Sequence, residues 1–99
     1  MIYVTDTLRI NFHHNIVQGE KTPYGNTLCY IQELRTQHQF DVEDGEWVDI
    51  AVGLARCSKG DMFSRTVGRK LAFTRAVSGV YSREKRKILW NAFRAGVKQ

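Results

Sequence analysis

Read for its apolar positions, the chain divides into an alternating first half and a helically periodic second half. Residues 1–17 alternate apolar and polar side chains through Leu8, Ile10, Phe12 and then His14, which predicts a first strand near 7–14. Residues 18–26 hold the only proline among Gly, Asn and Lys and read as a connection. The run 27–34 is apolar and β-prone at its start, and 37–42 can return as a further strand. Residues 43–46 form a turn, with Asp44-Gly45 as its hairpin signal. Residues 47–57 give the clearest strand. Val48, Ile50, Val52 and Leu54 fall on one face, and Ala51, Gly53, Ala55 and Cys57 on the other. Large on one side and small on the other predicts a central antiparallel strand covered on both faces, with a helix close over the small side.

The period then changes to 3.6. A helix is predicted over 61–78, with Asp61 as its N-cap and Gly79 as its C-cap. At 100° per residue Phe63, Val67, Leu71, Thr74 and Val77 share a stripe that reads as the core face. The other side carries Arg65, Gly68, Arg69, Ala72, Arg75 and Ala76. Small residues there admit a close approach to the backbone. A ligand could fill the gap between the arginines, and so could a neighbouring helix carrying carboxylates. A second helix is predicted over 83–95, capped by Ser82, with Leu89, Trp90, Ala92, Phe93 and Val97 as its apolar face. Strands first and helices last argue for an α+β fold: an antiparallel sheet of about four strands with two C-terminal helices packed on one face, in a single domain spanning 1–99.

Charge sharpens this picture. Net charge is +5, but residues 1–50 hold three Lys/Arg against eight Asp/Glu, and residues 51–99 hold twelve against two. That asymmetry points to an anionic partner for the second half, or to neutralisation between the halves within one fold or across a homo-oligomer. The second helix opens with Arg83, Lys85, Arg86 and Lys87, at the positive end of its own dipole. An anion there would relieve the conflict, and so would plain solvation of a basic face. No apolar run reaches the roughly 18 residues of a membrane span. The N-terminal residues lack the basic and apolar regions of a secretory signal. Cys29 and Cys57 lie inside apolar strand-like runs and read as reduced thiols of a cytoplasmic protein.

Catalytic chemistry finds no support. His13 and His14 are adjacent, so on a strand they face opposite ways and do not chelate one metal. No Cys/His spacing suits a structural zinc, and no Walker or dinucleotide glycine pattern implies a cofactor. Asp41, Glu43, Asp44 and Glu46 gather at a turn without the spacing of a calcium loop. Binding has more support. Lys59 and the free amides opening the first helix form an anion-binding corner with Ser64. Arg65 and Arg69 are spaced to clamp phosphate oxygens, with Arg75 further along and Phe63 offering a ring to stack on a base.

The segment Cys57-x3-Asp61-x-Phe63-Ser64-Arg65-x2-Gly68-Arg69-x2-Ala72-x2-Arg75-Ala76 resembles a motif of small bacteriophage proteins, mostly of unassigned function. The resemblance covers about 20 residues of the chain. It implies a counter-defence factor in the host-cell cytoplasm, one that blocks a host nuclease complex or soaks up its nucleotide signal. The order of strands then two helices is similar to that of phage sponges that sequester cyclic ADP-ribose signals in the Thoeris system. The expected function is therefore non-enzymatic sequestration of an anionic nucleotide. The alternatives are an inhibitor that docks on a host defence protein or nuclease complex, and a small nucleic-acid-binding accessory protein.

Overall fold

The computed structural model describes residues 1–17, 24–36, 45–57 and 64–97. Alternating segments become four strands, β1 (Ile2–Thr5), β2 (Leu8–Val17), β3 (Tyr24–Thr36) and β4 (Gly45–Cys57). Two helices follow, α1 (Arg65–Val77) and α2 (Arg83–Val97). The strands form one antiparallel sheet in the order β1-β2-β3-β4, an α+β arrangement with the helices last in the chain. No helix among the described residues is long and apolar enough to cross a membrane.

The first alternating run is two strands rather than one. A turn at Asp6 and Thr7 breaks it, and the Thr7 N–H donates to the Thr5 hydroxyl at 3.2 Å. Leu8, Ile10 and Phe12 then sit beside Ile31 and Cys29 of β3 on the inner face of the sheet. The strand expected at 37–42 lies outside the described residues.

β4 corrects the expectation of a central strand. In an up-and-down meander the last strand has one neighbour, so β4 is an edge. Its small face is covered as expected, because Gly53 and Ala55 are buried under α1. Its large face is not uniform. Ile31 pairs with Ala51 and Gln32 with Asp49, which leaves Ile50 as a bulged residue. The bulge swaps faces along the strand. Ile50 packs against the core, while Val52 stays half exposed on the side away from the helices.

α1 begins later than expected. Ser64 is the N-cap, its hydroxyl accepting the Val67 N–H at 3.3 Å, and Asp61 lies outside the described residues. At the other end Ser78 is the C-cap, in right-handed helical conformation, and Gly79 does not adopt a left-handed backbone. The helix phase is also corrected. Ala72, Phe73, Ala76 and Val77 are buried, whereas Val67 is 57% and Leu71 43% exposed. Close packing sets this phase. A Cβ built at Gly53 would overlap the Ala72 carbonyl oxygen and the Ala76 nitrogen, so helix and strand backbones touch there. Only the small face of α1 can come so near. Phe73 and Val77, one position on from Ala72 and Ala76, anchor it.

α2 is capped as expected, with the Lys85 N–H donating to the Ser82 hydroxyl at 3.2 Å. It buries Leu89 and Phe93 and lies over β1, where Gly96 faces Ile2. Phe93 stacks on Phe73 with centroids 4.4 Å apart, and Trp90 meets Phe73 edge-on at 4.7 Å. These rings join the helices to each other and, through Phe12, to the sheet.

Two outcomes follow from this packing. Gly53→Ala should lower stability by at least about 2 kcal/mol in chemical denaturation, because two backbones would have to separate. Gly79→Ala, whose Cβ would meet nothing nearer than 3.4 Å, should change it by less than about 1 kcal/mol. Both cysteines are thiols, and burial pushes Cys29 up to about 12. Cys29 should therefore stay unmodified by a thiol reagent at pH about 8 in the folded protein and react on unfolding. Rapid modification of native Cys29 would contradict the packing.

Candidate anion-binding site

The first two turns of α1 stand over the end of the sheet where β2 and β3 carry polar side chains on their inner face. The apolar series Leu8, Ile10, Phe12 ends in His14, which pairs across the ladder with Thr27. Thr27 is fully buried, and its hydroxyl lies 2.8 Å from His14 Nδ1. Gly68 rests directly on it, since a Cβ there would come within 2.5 Å of Thr27 Oγ1. This contact brings the start of the helix, and with it Arg65 and Arg69, over His14.

The electrostatics agree with that placement. Burial lowers the His14 pKa below 6.5, and the charges of Arg69, Arg65 and His13 lower it further. Arg69 is half-buried, with its guanidinium 5.9 Å from the centre of the Phe12 ring. Among the described residues its buried Nε has no hydrogen-bond partner. Arg65 is exposed. Among the described residues neither arginine has a carboxylate within ion-pairing distance, and no acidic residue stands in the first turn of α1. The corner is thus two arginines at the positive end of a helix dipole, beside an imidazole whose pKa lies below its ordinary value.

The other predicted residues separate into distinct roles. Ser64 is spent as the cap of α1. Arg75 reaches back to β4, its Nη1 donating to the Leu54 carbonyl at 2.5 Å, and so ties the last turns of α1 to the sheet edge. It does not join Arg65 and Arg69. Lys59 and Phe63 lie outside the described residues. In the second basic group Lys85 bonds Glu33 at 2.6 Å, and Arg86 Nη1 donates to the carbonyls of Val80 and Tyr81. Arg83 and Lys87 remain exposed. The small-residue face of α1 is filled by Gly53 and Thr27 of the same chain, which corrects the reading of a gap awaiting an occupant.

The residues that composition alone left unassigned are Phe12, His14 and Thr27. The available signal was a histidine at the end of an apolar alternation, on the face that strand logic assigns to the core. A groove of about 250 Å³ elsewhere is lined by Glu33, Arg35, Ile50, Val80, Tyr81 and Lys85, and none of Arg65, Arg69 or Arg75 borders it. Lys85 holds the Glu33 carboxyl below its ordinary range through their hydrogen bond.

Because folding lowers the His14 pKa, its neutral form suits the folded state. The associated stability is full above the unfolded value of 6.5 and is lost as pH falls through the folded value. An NMR titration should place the His14 midpoint below 6.5, and Arg69→Ala should move it upward by removing a neighbouring cation. A midpoint unmoved by Arg69→Ala would separate the two residues electrostatically.

No protein-family model, no curated protein and no solved structure matches this chain.

Proposed function

We propose that the protein is a non-enzymatic binding protein for a phosphate-bearing nucleotide ligand, gripped at the corner formed by Arg65, Arg69 and the His14–Thr27 pair. The observation that carries this reading is electrostatic. Two guanidiniums without a carboxylate partner among the described residues crowd an imidazole that is already suppressed. An anion would satisfy the buried Arg69 Nε and complete the site. The phage-like motif gives this binding a role, sequestration of a nucleotide signal of host immunity in the infected cell's cytoplasm.

A second reading, an accessory protein on nucleic acid, draws on a different observation. Residues 64–97 hold nine Lys/Arg against Glu84 alone, and Arg65, Lys70, Arg83, Lys87 and Arg94 are exposed on the helical layer. That is an open basic surface suited to a phosphate backbone.

Titration of the protein with ADP-ribose and with a short oligothymidine, at about 50 and about 200 mM salt, separates the two. A compact site should bind ADP-ribose with weak salt dependence, and Arg65→Ala or Arg69→Ala should weaken it at least about tenfold, or 1.4 kcal/mol. Arg65→Ala should leave thermal stability unchanged, since Arg65 is exposed. Binding at this corner should also raise the His14 midpoint as the bound charge offsets the arginines. Oligothymidine binding that falls steeply with salt, with no ADP-ribose binding, would favour the nucleic-acid reading. Binding of neither would overturn both.

A further inference from the structure

The helices cover one face of the sheet, and on the other face the alternation exposes a second, differently built surface. Its β3–β4 half is apolar, with Leu28, Tyr30 and Leu34 beside Leu54, Val52 and Trp47. Val52 is 50% exposed there, and Tyr3 on β1 is 64% exposed. One row crosses all four strands, Tyr3, Arg9, Gln32 and Asp49. Its polar groups are linked sideways. Arg9 Nε donates to Gln32 Oε1 at 2.7 Å, and Gln32 Nε2 donates to Asp49 Oδ1 at 2.8 Å. The Arg9 guanidinium also lies 4.0 Å from the centre of the Trp47 ring, which Tyr3 meets edge-on. A cation and a carboxylate already joined through an amide cost less to cover than the same groups standing alone.

We infer that this face is the contact between two copies of the chain, packed sheet against sheet in a four-layer dimer with both helical layers outside. Three features select a second copy. The first is charge. The helical layer, with nine cations against one carboxylate over 64–97, repels another such layer, which favours a symmetric contact through the sheet. The same count argues against a nucleic acid on the open face, where Arg9 is already engaged and Asp49 stands in the same row. The second is size. Strands about 4.8 Å apart and about 3.3 Å per residue give a four-stranded face on the order of 600 Å². Two such faces bury about 1,200 Å² in all, the lower end of specific, stable interfaces. The third is complementarity. A two-fold axis lying between the sheets and across the strands reverses β4 and brings Arg56 of one copy toward Asp49 of the other. The apolar strip then lies against its own image. The Arg65–Arg69 corner stays accessible in such a dimer, so the proposal is independent of what that corner binds.

Sedimentation equilibrium between about 1 and about 100 μM should give twice the chain mass of 11.4 kDa. Val52→Lys places a charge within the apolar strip and opposite its own image, and should weaken self-association at least about 100-fold with unchanged circular dichroism. Tyr3→Lys, at a more exposed position, should act in the same direction and serves if Val52→Lys fails to fold. Leu71→Lys, on the outer side of α1, should leave the dimer intact. A wild-type chain that sediments as 11.4 kDa throughout this range would overturn the proposal. So would a dimer indifferent to both Val52→Lys and Tyr3→Lys. A monomer whose oligothymidine affinity drops on Tyr3→Ala would reassign the face to nucleic acid.

Discussion

The close approach of α1 to β4 at Gly53 sets much of what surrounds it. Where the backbones of Ala72 and Ala76 reach a strand glycine, no side chain separates the layers. The helix cannot roll about its axis without driving a larger side chain into the sheet. That constraint fixes which residues of α1 look inward. It presses Gly68 onto Thr27, brings Phe73 into the aromatic cluster with Phe93 and Trp90, and turns Val67 and Leu71 toward solvent. It also places the arginines. Arg75 lies near enough to the edge strand to bond Leu54, while Arg65 and Arg69 are carried over the polar end of the inner sheet face.

The layered arrangement separates charge as well as polarity. Within the described residues the ion pairs centre on Glu33, which meets Lys85 from α2 and Arg35 from its own strand. Such a partly exposed cluster contributes about 1 kcal/mol or less and neutralises little of the helical layer. The outward sides of α1 and α2 therefore keep most of their positive charge, and the bare side of the sheet is nearly neutral and half apolar. Two such unlike surfaces suit two different kinds of contact, one governed by electrostatics and one by burial.

The sequence made the architecture legible because strands and helices occupy separate halves and each period is sustained. The Ser82 cap, the α2 face and the helix over the small side of β4 all follow from residue pattern. Three details did not, each for a physical reason. Ile50 is a bulge, and a period of two read straight through it assigns the residues before and after to the wrong common face. The phase of α1 is set by Ala and Gly, which carry little hydrophobic weight, so a stripe of Val67 and Leu71 looks more core-like than the face that is buried. The edge position of β4 depends on topology, which local pattern does not encode. The site was half legible. Arg65 and Arg69 stand out from spacing and charge. Their companions Phe12, His14 and Thr27 are distant in sequence and meet them only once α1 is seated.

That seating also accounts for most of the distinctive residues of α1. Ser64 caps the helix, Gly68, Ala72 and Ala76 let it touch the sheet, and Arg75 fastens its far end to β4. Each of these is accounted for by folding alone, so none of them argues for a ligand. Among the motif residues that the structure describes on α1, Arg65 and Arg69 are left. Neither is held by a carboxylate among the described residues, and together with His13 they depress the ionisation of His14. Arg69 packs beside the Phe12 ring, but Arg65 is exposed and has no such packing partner to account for it. A local repulsion retained at a rigidly placed corner is what an anionic ligand would convert into binding energy, and it is on these two guanidiniums that the functional reading rests.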